Sequence, residues 1–529
     1  MRGAEGQRPP ARPHQHRAPP MIRSILSVGG WTLVSRVTGF ARDVVMAAVM
    51  GAGPMADAFV VAFRLPNHFR AIFGEGAFNT AFVPAYAGLA EAGAAGAARA
   101  FADRIFSLML ATQIVLLAVA LPAMPWVVRG LAPGFSEDPE RFALAVSLTR
   151  ITAPYLLFMT LVTLLSGILN AHRRFAVAAG APVLLNLAML GALALNALFP
   201  NAGYAAAWGV SMAGILQFGL LWWGCRRAGV MPGLAAPTLR DPAMIRFFKV
   251  LGPAVIGSAG FQIATFADTI IASLLPTGAV SALYYADRLY QLPFGVIAIA
   301  AGTVLLPEMS RRIAAGDVAG AHAAQNRAAG FSLALSAPFT VAFLTLPGLI
   351  MAALFQRGAF SAEDAARAAS VLAAYGFALP AVVLARSAGA SFFARQDTTT
   401  PLYASLSAIA VNVGLKLWLT GLYGVTGLAL ATAVSQWVNL ILLVGLAWRR
   451  GWTAPGRSLA VTILGVAVAC TGLAAVAIFG LPLAERAVPA LPHLREIAVL
   501  GLLGIAGTAI YGLLLLATLH LFGLRLRRA

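Results

Sequence analysis

The sequence predicts an all-α polytopic membrane protein, and three observations support this prediction. Of the 529 residues, 60% are hydrophobic and only 11% are charged, and the mean hydropathy is +0.82. A soluble protein would carry charge on about 25% of its residues. Apolar runs of about 20 residues, the length that spans a bilayer, recur along the whole chain, and two sequence patterns repeat at a fixed offset. A string of soluble domains is therefore excluded.

We expect about fourteen transmembrane helices, because that is the number of apolar runs long enough to cross the hydrocarbon layer. The intervals between the runs are too short to hold a soluble domain. The runs lie at 24–49, 55–86, 105–130, 142–170, 177–199, 203–225, 244–273, 279–307, 328–354, 364–392, 401–421, 423–447, 458–480 and 497–522.

An internal repeat predicts how these helices are arranged. DAFVVAFRL at 57–65 resembles SALYYADRL at 281–289, and NAHRRFAVAAGAP from 170 resembles ARQDTTTP from 394 at the same offset. Six helices separate the copies, so both copies cross the membrane in the same direction. Parallel repeats form two six-helix lobes related by an axis along the membrane normal, with a site between them. The last two helices fall outside the repeat.

These observations divide the chain into five predicted parts. The first part is rich in Pro and Arg, and we expect it to be disordered. It is not a signal peptide, because it lacks an apolar core of about 7–15 residues, and Met21 is an alternative start. The parts are a tail at 1–20, an amino-terminal lobe at 21–227, a carboxy-terminal lobe at 240–450, a helix pair at 457–523 and a basic tail at 524–529.

The net charge of +19 comes from basic residues spread over many short loops. Because they form no single patch, we expect no nucleic-acid partner. Loops near Arg173, Arg226, Arg311 and Arg395 are basic, whereas the alternate loops, such as that of Glu137, are acidic or neutral. The positive-inside rule therefore places both termini in the cytoplasm.

Ionisable residues also lie inside the first two predicted helices. In SRVTGFARD at 35–43, they share an arc of about 140° with small and polar residues, opposite an aliphatic face. A similar stripe runs along the second helix. The residues concerned are Arg36, Arg42 and Asp43 in the first helix, and Asp57, Arg64, His68 and Glu75, with Arg70 beside them, in the second.

Five arginines within the predicted helices need an explanation, because each one facing lipid at mid-membrane costs about 2.5–3.5 kcal/mol. They are Arg36, Arg42, Arg64, Arg70 and Arg288. We expect them to line a cavity for an anionic substrate that carries phosphate, because the guanidinium fork matches phosphate oxygens. The alternative is internal pairing: Arg36 or Arg42 with Asp43, Arg64 with Asp57, and Arg288 with Asp287.

Other residues give less specific signals. Tyr284 and Tyr285 either stack on a sugar or anchor at the membrane interface, and Glu75 either couples to a proton or caps a helix. Asp268 stands mid-helix, where it binds Na⁺ or H⁺ or pairs with an arginine of another helix. The sequence has no nucleotide-binding loop, metal-ligand spacing or nucleophile motif.

Four stretches resemble the MurJ (MviN) family of bacterial lipid II flippases, within the multidrug, oligosaccharidyl-lipid and polysaccharide exporters. The resemblance runs from about Met21 to the carboxy terminus, and it is most specific in the first stretch. The stretches are SRVTGFARDVVMAAVMGAGPMADAFVVAFRLPNHFRAIFGEGAFNTAFVPAYA from 35, SGILNAHRRFAVAAGAPVLLN from 166, YYADRLYQLPFGVIAIAAGTVLLPEMS from 284 and ARQDTTTP from 394.

This resemblance implies a transporter rather than an enzyme. It implies that lipid II, an undecaprenyl-pyrophosphate-linked peptidoglycan precursor, moves from the inner to the outer leaflet of the bacterial inner membrane by alternating access. It also implies fourteen helices, with the final pair lining a groove for the lipid tail. The expected partners are lipid II, membrane lipids and other cell-wall synthesis proteins, and we expect a monomer. The alternatives are an exporter of another lipid-linked glycan or drug, a cell-wall enzyme and a scaffold.

The resemblance also assigns roles to residues. It implies that Arg36, Arg42, Arg70 and Arg288 are the functional arginines and that Asp57 is the functional acid. Arg64 stands where the family often has lysine, and Glu75 belongs to the same predicted cavity. No cofactor is expected, apart from a coupling sodium ion whose candidate ligands are Asp268 and Asp397.

Overall fold

The computed structural model describes residues 21–70, 78–91, 95–236, 238, 241–488 and 494–524. Every long element within these residues is an α-helix. The helices are α1 (Met21–Met50), α2 (Pro54–Phe69), α3 (Phe78–Glu91), α4 (Ala95–Ala120), α5 (Met124–Leu131), α6 (Pro139–Thr152), α7 (Tyr155–Ala171), α8 (Phe175–Ala194), α9 (Ala202–Ala228), α10 (Pro242–Ser273), α11 (Ala279–Ala314), α12 (Val318–Thr345), α13 (Pro347–Phe355), α14 (Ala362–Phe393), α15 (Thr399–Arg449), α16 (Arg457–Ala487) and α17 (Arg495–Leu521).

The all-α membrane class is confirmed. Nine helical segments of the described chain are long and apolar enough to cross a membrane. α1 and α11, whose middles carry the charged residues, are not among the nine. α15 has 51 residues and a non-helical break at Gly424, so it covers the two predicted runs 401–421 and 423–447. The count of fourteen spans stays a prediction.

Local sequence explains where several helices begin and end. Pro139 opens α6, and the Asp138 carboxylate accepts hydrogen bonds from the Glu140 and Arg141 backbone N–H groups, which satisfies free donors of the first turn. α14 begins with a reciprocal capping box between Ser361 and Asp364. These two caps begin corresponding helices of the two halves of the chain.

The helices form two bundles and a final pair. In the amino-terminal bundle, α1–α9, helix α8 packs between α1 and α9; in the carboxy-terminal bundle, α10–α15, helix α14 packs against α11, α12 and α15. α16 and α17 pack on each other and against α12 and α13. α10 contacts both bundles, because it packs against α3 of the first and α15 of the second. The exact domain boundaries remain predictions.

Contacts between the bundles support the parallel repeat. Asp57 Oδ1 accepts hydrogen bonds from the Ser281 backbone N–H at 2.8 Å and from the Ser281 hydroxyl at 2.7 Å, and the two residues are 224 positions apart. That is the offset between the repeated sequences, so Asp57 and Ser281 are equivalent positions of the two halves. Equivalent positions touch only near the symmetry axis, so the axis passes close to this contact.

The bundles meet at one end of the molecule, which we call the closed end. It is formed by the turns 51–53, 274–278 and 356–361 and by the short 3-10 helix Pro133–Glu137. Gly134 lies so close to the Ser273 carbonyl oxygen that a side chain there would overlap it, and Gly358 has the same relation to the Ala48 carbonyl oxygen. Gly134 and Gly358 are also 224 residues apart, so each half of the chain contributes one equivalent close approach to the backbone of the other half.

We expect Gly134→Ala to weaken the closed end, because its methyl group would overlap the Ser273 carbonyl oxygen. Overpacking of this kind costs about 1–3 kcal/mol. Disulfide formation between cysteines placed at Ala48 and Ala359, whose backbone groups are hydrogen-bonded at 2.7 Å, should slow. Gly130→Ala is the matched control, since a Cβ there has no neighbour within 4 Å. Equal crosslinking rates in the two variants would contradict the interpretation.

Candidate functional site

The middle of α1 has the two faces predicted from the helical wheel. Leu33 and Val37 are 63% and 62% exposed on the outer surface, whereas Arg42 and Asp43 are 6% and 3% exposed. The charged face is therefore turned inward, towards the space between the bundles. We call this space, bounded by α1, α2, α10 and α11, the cleft.

Asp43 is the centre of a charged cluster that joins both bundles. Its Oδ1 accepts hydrogen bonds from Arg42 Nη2 at 2.7 Å and from the Tyr284 hydroxyl at 3.0 Å. Its Oδ2 lies 3.9 Å from Arg288 Nε, and the Arg288 guanidinium stacks over the Tyr284 ring, 4.6 Å from the ring centre. Arg42 of α1 and Arg288 of α11 thus face the same carboxylate from opposite bundles.

Asn186 of α8 fixes the position of the Arg42 guanidinium. Its Oδ1 accepts a hydrogen bond from Arg42 Nη1 at 3.0 Å, while its Nδ2 donates to the Ser35 carbonyl oxygen at 2.9 Å. Gly39 lets α8 approach α1 here, because a Cβ at Gly39 would lie 3.4 Å from the Asn186 amide. Arg42 is consequently held by both Asp43 and Asn186, whereas the Arg288 side chain is 26% exposed and more loosely held.

Arg64 crosses the cleft from α2 to α10, whereas Arg288 crosses it from α11 to α1. Arg64 Nη1 donates to the Thr269 hydroxyl and, at 3.3 Å, to the Thr265 carbonyl oxygen of α10. Asp268 and Asp287 are the carboxylates that act on it electrostatically. Asp268 in turn lies 2.8 Å from Lys416 Nζ of α15.

Asp57 lies away from the cleft, at the closed end. It is fully buried, and its carboxylate accepts hydrogen bonds from Arg141, from the Gly278 backbone N–H and from Ser281. Because Gly278 precedes α11, the carboxylate caps the first turn of that helix, where free N–H groups favour an anion. In this conformation Asp57 joins the bundles and does not face the cleft.

The remaining predicted site residues are less enclosed. The Arg36 guanidinium lies against α11, where a Cβ at Gly295 would come within 2.7 Å of its Nη1. Arg70, at the end of α2, donates from Nη2 to Asn67 Oδ1 at 3.1 Å. Both arginines are partly exposed. Glu75 lies outside the described residues.

The internal pairings expected from the sequence are partly wrong. Arg42 does pair with Asp43, but Asp57 pairs with Arg141 instead of Arg64. Arg288 approaches Asp43, while Asp287 accepts a hydrogen bond from Gln291. Tyr284 and Tyr285 are buried and donate to Asp43 and to the Gly51 carbonyl oxygen, so neither side chain is exposed as an interfacial anchor would be.

The described part of the cleft carries an excess of positive charge. Among its described residues, the carboxylates are Asp43, Asp268 and Asp287. The facing cations are Arg36, Arg42, Arg64, Arg70, Arg288 and Lys416. Among the described residues, Arg36 and Arg64 make no ion pair, so internal pairing accounts for only part of the arginine set and an anionic ligand would balance the remainder.

Four contact residues were not anticipated. Arg141 stands immediately before the predicted run 142–170, and the sequence predicts no role for it. Asn186 and Lys416 are single polar residues within apolar runs, which was a usable signal. Ser281 is the repeat equivalent of Asp57, so the repeat alone could have indicated it. Which side chains these four meet depends on packing between distant helices, which the sequence does not show.

Comparisons with known proteins agree with this architecture. The family described as "Lipid II flippase MurJ" matches residues 46–487. A "Probable lipid II flippase MurJ" of Rhizobium tropici is 39% identical over 500 residues, which cover 93% of each chain. The chain belongs to the MurJ family. A second relative with the same description, from Rhizobium meliloti (strain 1021), is 42% identical over 439 residues, or 82% of each chain.

A solved structure shows the same fold as this MurJ family member. It is described as "Lipid II flippase MurJ, inward closed conformation", superposes with a TM-score of 0.77 at 22% identity, and covers 94% of this chain and 98% of that chain. At this identity the likeness concerns the fold alone. As a member of this family, the chain is a multi-pass bacterial membrane protein and a transporter.

The residues that the family resemblance suggested for sodium do not fit that ion. Asp268 is paired with the Lys416 ammonium rather than with an arginine. The Asp397 carboxylate accepts hydrogen bonds from Arg450 at 2.7 Å and from the Thr400 hydroxyl at 2.7 Å. The bonds from Thr400 and Arg450 lower the pKa of the Asp397 carboxyl to about 2. No group of three or more His, Cys, Asp or Glu side chains gathers as a metal site in the described part of the chain.

An apolar cavity of about 290 Å³ lies between the carboxy-terminal bundle and α16. Leu333, Leu440 and Ile463 line its walls, while Gln325 and Ser387 provide polar atoms. It opens beside the final helix pair, where the family resemblance implies a groove for a lipid tail.

Asp57→Asn should destabilise the fold, because it removes the charge that neutralises buried Arg141 while keeping the side-chain shape. Breaking a buried ion pair costs about 3–5 kcal/mol, so Tm in detergent should fall clearly. Asp138→Asn is the control, since this exposed cap at the same end keeps its function as Asn. Combining Asp57→Asn with Arg141→Met should recover stability; a double variant no more stable than the single one would contradict the ion-pair explanation.

Proposed function

We propose that the chain moves lipid-linked peptidoglycan precursor, lipid II, from the inner to the outer leaflet of the bacterial inner membrane. Membership of the MurJ family and the excess of arginine in the cleft support this proposal. An exporter of cationic drugs needs an acidic cleft, whereas the cleft of this protein is basic.

The arginines of the cleft hold the pyrophosphate of the substrate. Arg288, Arg36 and Arg70 are partly exposed and meet it first. The 3.9 Å separation between Arg288 and Asp43 is longer than a charge-assisted hydrogen bond, so a phosphate oxygen can replace Asp43 there. Arg42 then shares the pyrophosphate once Asp43 turns away.

Binding of this kind couples the substrate to the movement of the bundles. Arg42 belongs to α1 and Arg288 to α11, so a pyrophosphate that contacts both favours conformations in which they are close. A ligand shifts an equilibrium only by binding one conformation better than another. The pyrophosphate satisfies this condition for alternating access, while the polyprenyl chain stays in lipid and in the apolar cavity beside α16.

The direction of opening follows from the predicted topology. With both termini in the cytoplasm, the turn 51–53 after α1 lies on the outer side of the membrane, and so does the closed end. The conformation described here therefore receives substrate from the cytoplasmic leaflet. Release of the substrate on the outer side requires the contacts of Asp57, Gly134 and Gly358 to break.

Arg42→Ala and Arg288→Ala should each abolish transport and weaken lipid II binding. Losing one charge-assisted contact costs about 1.5–3 kcal/mol, which corresponds to roughly one to two decades in Kd. Arg288→Lys should rescue only in part, because an ammonium lacks the bidentate fork. Binding is measured with purified variants and lipid II.

Arg226→Ala is the control for these variants. Its guanidinium stacks on Trp222 at the exposed end of α9, so its removal should leave binding unchanged. Wild-type affinity in both cleft variants, at normal protein level, would rule out the proposed pyrophosphate site.

The topology is tested with single cysteines and an impermeant thiol reagent, in a background without Cys225 and Cys470. A cysteine at Glu137 should be labelled from outside intact cells, because its loop is predicted to face the periplasm. Cysteines at Arg173 and Arg395 should be labelled only after the membrane is opened. The reverse pattern would invert the topology and the assigned side of the closed end.

A further inference from the structure

Lys416 is an unusual residue for this chain. Only two of its 38 basic residues are lysines, Lys249 and Lys416, and the others are arginines. Lys249 is exposed, whereas Lys416 is fully buried. Its ammonium lies 2.8 Å from Asp268 Oδ1. The one basic side chain buried completely within the described bundles is thus a compact ammonium rather than a guanidinium.

The helix that carries Lys416 also presents oxygen atoms to the interior. Asn412 precedes Lys416 by one helical turn and lies on the same face. Its amide donates to the Ser435 hydroxyl at 3.1 Å and approaches the Thr432 hydroxyl at 3.4 Å, across the break of α15 at Gly424. Asn412 Oδ1 is buried and accepts no hydrogen bond from the described residues. The amide and hydroxyl oxygens one helical turn from Lys416, and the Asp268 carboxylate against its ammonium, are the ligand types that suit a small cation.

The two halves of the chain use their cleft carboxylates in the same way. Arg64 and Arg288 are repeat equivalents, and each reaches across the cleft to the first helix of the other bundle. There each faces an aspartate, Asp268 for Arg64 and Asp43 for Arg288. Asp43 is held by Arg42 of its own bundle, and Asp268 by Lys416 of its own bundle.

We propose that the Lys416 ammonium is a built-in cation that takes the place of a coupling sodium ion in the carboxy-terminal bundle. It keeps Asp268 charged and oriented towards Arg64, as Arg42 does for Asp43. Because a positive charge already lies against the carboxylate, like-charge repulsion keeps a second cation out. The stability of the bundle and its movement are therefore independent of Na⁺.

The first experiment uses the wild-type protein in lipid nanodiscs. Its Tm is measured in NaCl and in N-methylglucamine chloride at equal ionic strength, and we expect no difference. A saturable rise of Tm with Na⁺ would overturn the proposal, since it would show that the ion binds the folded state. This measurement does not depend on the substrate, so its failure is distinguishable from failure of the proposed function.

The second experiment removes the ammonium. Lys416→Ala removes the cation in direct contact with Asp268, and Tm should fall by roughly 5–10 °C in N-methylglucamine chloride. NaCl should restore part of this loss saturably, because the vacated position can now hold Na⁺. Lys249→Ala, which removes the other lysine from α10, should leave Tm unchanged in both salts. A lower Tm that Na⁺ does not raise would identify a structural ion pair only and overturn the proposal.

A second variant covers the case in which Lys416→Ala fails to fold. Lys416→Met combined with Asp268→Asn removes both charges, so the pair no longer needs a cation. This double variant should fold and should show no effect of Na⁺ on Tm. Lipid II transport, the readout that rests on the proposed function, should likewise be equal in the two salts for the wild type. A double variant that fails to fold, or that gains Na⁺ dependence, would contradict the role assigned to Lys416.

Discussion

The buried carboxylate of Asp57 ties the two bundles together at the closed end, and the arrangement of the cleft depends on it. Removing a carboxylate from water is unfavourable unless its oxygens are paired. Here an arginine of its own bundle supplies the charge, and the start of α11 supplies backbone and hydroxyl donors. Because α11 begins at this carboxylate, the position of Tyr284 and Arg288 opposite α1 follows from the same contact.

Pairing of the same kind explains how so many charged groups are stable in the cleft of a membrane protein. Each carboxylate of the cleft has a cation of its own bundle or lies beside a cation of the other one. Guanidinium and ammonium groups that would be costly in lipid are held between helices whose outer faces are aliphatic, as the exposed Leu33 and Val37 of α1 show. The remaining unbalanced charge is that of the cleft arginines. It is positive, and it lies between the two bundles, within reach of both.

The sequence predicted the helices and the repeat well, because both leave regular patterns in the order of residues. Length and apolarity located α8, α9, α16 and α17, and the two aligned nonapeptides predicted that Asp57 and Ser281 are equivalent. The wheel of α1 also separated Arg42 and Asp43 from the outer face. Partners were predicted poorly: Asp57 with Arg141, and Asp268 with Lys416, are contacts between helices far apart in the chain. No periodicity records such contacts, since they depend on how the bundles pack.

Helix α10 has a mechanical consequence for any rocking of the bundles. It packs against α3 through Phe247 near its start and against α15 through Asp268 near its end, so it connects the two bundles in any rocking movement. A helix that is packed against both bundles has to bend or slide when the bundles move. Pro253 lies within it, and a proline inside a helix removes one backbone hydrogen bond and creates a weak point for bending. The extent to which α10 can bend therefore limits how far the two bundles can rock.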